Sequence, residues 1–232
     1  MRDIELYGIK FSPVGAPAVA QKLTSALTLG ERVKVFTPNF GIMHAVKDNS
    51  EYKSVLLQAD LLLTDGAGIG MLCALHGIFG VPRVTGIDTA YFLLRYAEIK
   101  GFSVFFLGGK DGVAKKAAKC LMHKMPLLKI CGTHHGYFDK SAESAENQAV
   151  IRALCKAKPD ILFVCMGFPA QERWITENID RLPSVSVAMG IGGSLDVWAG
   201  DVRRAPMVFR VLDLEWLWRC MTQPERFAKL LK

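Results

Sequence analysis

Leu61-Leu62-Leu63-Thr64-Asp65-Gly66 is an apolar run that stops at an acid, and its reading decides the fold. A short run of this kind bounded by a turn pair fits a strand buried on both faces, as in a parallel sheet. Other β-branched or aromatic runs recur along the chain and predict strands at Val33–Thr37, Leu61–Thr64, Ser103–Leu107, Lys129–Thr133, Ile161–Met166 and Val185–Met189. Helical periodicity fills the gaps at Pro17–Leu29, Ser50–Ala59, Asp88–Lys100, Gly112–Met125, Ser144–Ala157 and Gln171–Arg181. Strands alternating with helices imply βαβ units, hence an α/β, Rossmann-like architecture with a mostly parallel sheet and helices on both faces. The Gly/Pro-rich stretch from Gly190 to Pro206 is the one candidate boundary. It divides an α/β domain, 1–200, from a basic, amphipathic C-terminal helical appendage, 201–232.

Composition narrows the class. The chain has 232 residues, half of them apolar, enough to bury a core without disulfides or metal. Its six cysteines show no C-x-x-C pair and fall mostly in apolar runs, which suits reduced thiols. The N-terminus, Met1-Arg2-Asp3-Ile4-Glu5, has no apolar leader core, and no stretch reaches the roughly 18 apolar residues of a membrane span. A cytoplasmic protein is expected. The net charge of +7 is concentrated at the end, where Val202 to Lys232 carries seven basic residues against three acids. Trp216, Trp218, Phe209 and Phe227 lie in the same segment. Basic and aromatic residues mixed in this way suit a helix lying on an anionic membrane surface, and equally suit a helix docked on the core with solvated arginines. Nucleic acid is the weaker partner, because acids are interspersed and no nucleic-acid motif is present.

In an open α/β sheet, ligands sit at the carboxyl ends of the strands. Asp65, at such an end, could take a proton from a substrate hydroxyl, or it could cap the next helix or close a turn with Gly66. Most of the other strands also end in loop residues suited to ligands: Thr37-Pro38-Asn39, Gly108-Gly109, Gly167 to Glu172 and Gly190 to Gly193. Glycines there let backbone N–H groups approach phosphates, which points to a nucleotide or nucleotide-sugar. The candidate binding residues are Thr37, Asn39, Gly108, Gly109, Gly167 and Gly192, with Tyr137 as a stacking ring and Gln171, Glu172 and Asp196 as partners for sugar hydroxyls. Each has a structural alternative in turn geometry, core packing or helix capping. No D-x-D pair is present to hold a divalent ion on a diphosphate. That role is assigned to Arg83 and the tail arginines Arg204, Arg210, Arg219 and Arg226, which could equally face an anionic membrane. Neighbouring strand residues point to opposite faces, so His134 and His135 are not expected to share a metal ion. No metal and no cofactor is expected.

The motifs quoted so far, with Arg83 and Gly86-Ile87-Asp88, Gly132 to Tyr137, and Arg204-Ala205-Pro206 to Leu214-Glu215-Trp216-Leu217, resemble the WecG/TagA/CpsF glycosyltransferases in family order from Thr37 to Pro224. The resemblance implies an inverting enzyme of teichoic acid or surface polysaccharide synthesis, and the missing D-x-D pair a metal-independent one. It would move N-acetylmannosamine, or a related sugar, from UDP to N-acetylglucosamine on a polyprenyl (undecaprenyl) diphosphate at the inner face of the bacterial membrane. Within it Asp65 matches the general base, and Thr37, Asn39, Arg83 and Gln171 match pocket positions. The region after Arg203 matches an appendage that reaches the membrane and helps close the site. It leaves open whether the chain forms a homo-oligomer.

Two departures stand out. Phe40-Gly41-Ile42-Met43 follows Asn39 where the family more often has Pro and an acid, which bears on donor preference. The chain also ends at Lys232 where many members continue, which reads either as a short member or as one cut short. A nicotinamide oxidoreductase would need G-x-G-x-x-G after its first strand, and that fingerprint is missing. A non-catalytic, membrane-associated nucleotide-sugar-binding protein would share loops and tail but has no need of the acid at Asp65.

Overall fold

A computed structural model describes residues 4–12, 15–211 and 214–222, without the side chains of Val211, Trp216, Arg219 and Cys220. In chain order the elements are β1 (Ile4–Leu6), β2 (Ile9–Phe11), α1 (Ala16–Leu29), β3 (Val33–Phe36), α2 (Phe40–Lys47), α3 (Ser50–Leu56), β4 (Leu61–Leu62) and α4 (Ala67–Leu75). They continue with α5 (Gly86–Lys100), β5 (Ser103–Gly108), α6 (Val113–Lys124), β6 (Lys129–His134), α7 (Ala145–Ala157), β7 (Ile161–Cys165), α8 (Ala170–Asn178) and β8 (Val187–Gly190). Short helices α9 (Ser194–Trp198), α10 (Met207–Val211) and α11 (Glu215–Thr222) follow.

Six strands form one parallel sheet in the order β4-β3-β8-β7-β5-β6. The expected Rossmann-like α/β class is correct. Alternation within the strands explains why both faces are apolar. Val104, Phe106, Ile161 and Phe163 pack on one side with α1, α5, α6 and α9, while Phe105, Leu107, Leu162 and Val164 pack on the other with α2, α3, α4, α7 and α8. After β3 and β7 the chain leaves for the second face, and after β8 for the first. The three carboxyl ends are neighbours, so a crevice opens at this reversal, where open α/β sheets place their ligands.

Some elements were not expected. β1 and β2 form an antiparallel hairpin that turns at Tyr7 and Gly8, both at positive φ, and Ile4, Leu6, Ile9 and Phe11 seat it on the second face. Helices α2 and α9 occupy stretches expected to be loop, and α4, the helix that Asp65 could have capped, had no expected range. The five cysteines with described side chains are free; among them only Cys73 and Cys165 are buried, whereas Cys131 and Cys155 are exposed. Among the described residues no helix is long and apolar enough to cross a membrane.

Candidate functional site

The carboxyl ends of β3, β4, β7 and β8, the start of α5, the stretch Val202 to Ala205 and the side chains of Glu215 and Trp218 line a cavity of about 280 Å³. Asp65 stands on its wall. The acid is not the cap of the helix that follows it: Gly66 holds that position, and no side chain caps α4. Instead Asp65 Oδ1 accepts a hydrogen bond from the Gly86 backbone N–H at 3.2 Å, at the first residue of α5. The positive end of that helix therefore faces the carboxylate. Thr85 caps α5, its Oγ1 accepting from Asp88 N and donating to Asp88 Oδ2. A Cβ at Gly86 would lie 2.9 Å from the Thr37 methyl group, so the close approach of α5 to β3 requires glycine there.

Thr37 and Asn39, both on the cavity wall, also hold the frame. Thr37 Oγ1 donates to the Gly190 carbonyl at 3.0 Å, joining the ends of β3 and β8, and Asn39 Oδ1 caps α2 at Ile42 N. Gly167 and Gly192 line the cavity at positive φ, yet their N–H groups are not turned to a phosphate. Both donate to Gln171 Oε1, at 3.2 and 3.0 Å. Gly109 N–H likewise bonds the Cys165 carbonyl at 2.9 Å. Expecting these amides to bind phosphate overlooked the protein's own acceptors, which satisfy them first.

The structure brings Asp65, Thr37, Asn39, Gly167, Gln171, Gly192, Asp196 and Arg204 to one cavity. It places other expected residues elsewhere. Gly108 and Gly109 pack against Cys165 and Val113, and Tyr137 is exposed beyond β6. Glu172 is buried, with Gln171 Nε2 donating to its Oε1 at 2.8 Å. Arg83 does not line the cavity; its guanidinium donates to the Arg210 carbonyl at 2.8 Å and to Glu215 Oε2 at 2.9 Å. Arg210 lies outside the lining too, while Arg226 and the side chain of Arg219 lie outside the described residues. His134 and His135 do not point apart as expected. His135 lies past the end of β6, and the two ring centroids are 4.5 Å apart. Among the described residues no group of three or more His, Cys, Asp and Glu is arranged to hold a metal ion.

Sequence reasoning had not assigned Arg203, Glu215, Trp218 or Thr85 to the cavity they line. Arg203 carried a signal as a charge inside the Gly/Pro-rich boundary, and Glu215 as the acid of Leu214-Glu215-Trp216-Leu217. Glu215 sits between Arg83 and Arg204, whose Nε is 3.6 Å from Glu215 Oε1, and Arg204 also pairs with Asp88 at 2.7 Å. Trp218 Nε1 donates to the Arg203 carbonyl at 3.3 Å. These contacts fasten α10 and α11 across the crevice. Burial alone would raise the Asp88 carboxyl, but the Thr85 hydroxyl, the Arg204 guanidinium and the charge of Arg210 hold it below the usual carboxylate range.

Glu172 behaves oppositely. Burial pushes its carboxyl from the usual 4.5 up to about 7, more than the Gln171 bond lowers it. A raised carboxyl means that the folded protein binds the proton more tightly than the unfolded chain, so this group's stabilisation is full below about pH 4.5 and is lost as pH rises through about 7. The difference is on the order of 3 kcal/mol. Denaturant midpoints at pH 5 and pH 8 should fall more steeply with pH in the parent than in Glu172→Gln; equal slopes would show that the carboxyl titrates normally.

The glycosyl transferase WecG/TagA/CpsF family model matches residues 4–232. The chain is similar to the N-acetylglucosaminyldiphosphoundecaprenol N-acetyl-beta-D-mannosaminyltransferase of Staphylococcus aureus strain NCTC 8325 / PS 47, at 32% identity over 221 residues covering 89% of this chain and 84% of the relative. The proteins of the same name from strains COL and MRSA252 match with the same identity and coverage.

Proposed function

Because the chain belongs to the glycosyl transferase WecG/TagA/CpsF family, we propose that it transfers N-acetylmannosamine or a related sugar, with inversion, from UDP to N-acetylglucosamine on undecaprenyl diphosphate. The relatives' name supports the acceptor and the sugar. The observation that carries the reading is Asp65: a carboxylate on the cavity wall that its own helix does not use as a cap and that the α5 N-terminus faces. Inversion requires the acceptor hydroxyl to attack the anomeric carbon from the side opposite the leaving group. Asp65 takes the hydroxyl proton as the new C–O bond forms, and the bond from the anomeric carbon to the diphosphate oxygen breaks, releasing UDP. The departing diphosphate gathers negative charge, and the reading assigns Arg203 and Arg204, on the same cavity, to meet it. The product would feed teichoic acid or surface polysaccharide assembly.

The acceptor is a lipid, so the enzyme must work at a membrane face, and the reading gives that contact to the basic segment after Val202. Each basic residue near an anionic surface contributes on the order of 1 kcal/mol, and salt screens it. Sedimentation with anionic vesicles should therefore weaken as ionic strength rises, and neutral vesicles should bind little. Equal, salt-insensitive binding to both vesicle types would refute electrostatic docking.

Transfer itself is tested by UDP release from UDP-N-acetylmannosamine in the presence of a soluble lipid-diphosphate N-acetylglucosamine analogue. Release that depends on the acceptor supports the reading, and release that ignores it does not.

A further inference from the structure

We propose that Glu172 is a positioning residue, whose carboxyl fixes the Gln171 amide in the one orientation that clamps the Gly167 and Gly192 loops together at the floor of the cavity. The chain reverses direction here. Gly167 follows β7 and leads to α8 on the second face, whereas Gly192 follows β8 and leads to α9 on the first, and the last β7–β8 backbone bond, from Ile191 N–H to the Val164 carbonyl at 3.0 Å, stops short of both glycines. Gln171 Oε1 spans the gap by accepting from both backbone N–H groups, at 3.2 and 3.0 Å. Rotating the amide by half a turn would set Nε2, a donor, against two donors. The native orientation needs an acceptor for Nε2, and Glu172 Oε1 supplies it at 2.8 Å. Gly190 leaves the room, since a Cβ there would stand 2.7 Å from Gln171 Nε2.

Glu172 is buried, Gln171 is its one side-chain hydrogen-bond partner among the described residues, and Oε2 has none among them. A carboxyl in that setting is unfavourable, and a methionine would fill the space without the penalty. The bond to Gln171 is what the acid provides.

The inference rests on the reading of this cavity as a donor site, and two readouts separate the two. The first needs no substrate: amide hydrogen exchange at Gly167 and Gly192 in the full chain. Glu172→Met removes the acceptor and should speed exchange at these two amides about tenfold relative to amides of β5, and Glu172→Gln, which keeps a carbonyl acceptor, should stay within about twofold of the parent. The second uses UDP-N-acetylmannosamine: the methionine variant should raise the donor KM about tenfold with kcat changed less than about threefold, and should add nothing to Gln171→Leu. Acceleration spread over all amides, or a glutamine variant that behaves like methionine, would overturn the clamp. Should the methionine variant not fold, the parent still decides. Two amides sharing one acceptor should exchange together, and a tenfold separation between them would overturn the clamp. A parent with the expected exchange but no use of the donor would instead refute the donor site and leave the clamp standing.

Discussion

Asp65→Asn should lower turnover by two or more decades while leaving folding and donor binding nearly unchanged, the scale of loss expected when a general base is removed. Geometry makes this substitution a clean one. The Gly86 N–H that now donates to Asp65 Oδ1 at 3.2 Å can be accepted only by the oxygen of an asparagine amide. The amide nitrogen then takes the place of the second carboxylate oxygen, and it cannot receive a proton. Since Asp65 does not cap α4, the helix start loses nothing by the change. Initial rates of UDP release, with circular dichroism as the folding control, check the result. Near-normal turnover would remove Asp65 from the chemistry and leave it as a brace between β4 and α5.

The largest effect on stability should come from Gly108→Ala. Gly108 ends β5 at φ +141°, and a Cβ there would lie 2.3 Å from the Cys165 carbonyl oxygen and 2.5 Å from its carbon. Both obstacles are backbone atoms of the paired strand β7, so no side-chain rotation relieves the clash and the two strands must part. A loss of about 3 kcal/mol or more follows, which for a chain of this size lowers the Tm by roughly 6–12 °C. Gly112→Ala is the control. It also sits at positive φ, but nothing lies within 4 Å of its Cβ position, so only the backbone term of about 1 kcal/mol remains. Similar melting of both variants would show that the close approach of β5 to β7 is not what requires glycine at 108.

The sheet was legible because burial on both faces leaves a plain mark, a short continuous apolar run closed by a turn. Ile161–Cys165 and Ser103–Gly108 differ from expectation only at their ends. The helices that escaped notice wear their signal differently. α4 carries two glycines and had no expected range, although Ile69, Leu72 and Cys73 mark its buried face. α2 was hidden by Pro38-Asn39, read as a ligand loop when Asn39 is in fact a cap. The hairpin strands β1 and β2 are three residues each, too short for periodicity to register.

At the site, strand-end position was informative and residue chemistry alone was not. Asp65, Asn39 and Asp196 reach one cavity because the topology gathers the ends of β3, β4 and β8. Arg83 was expected in the pocket, but its guanidinium ties down the C-terminal helices through Glu215, a long-range pairing that no local pattern encodes. The Gly167 and Gly192 amides escaped for a similar reason, since Gln171 accepts from both from one residue.

The central claim is tested most directly by one panel, in which UDP-N-acetylmannosamine, UDP-N-acetylglucosamine and UDP-glucose are each offered with and without a soluble lipid-diphosphate N-acetylglucosamine analogue and UDP release is followed. Release with UDP-N-acetylmannosamine that requires the acceptor and disappears in Asp65→Asn is the result this account predicts. Acceptor-independent release, or release that persists in Asp65→Asn, would contradict it.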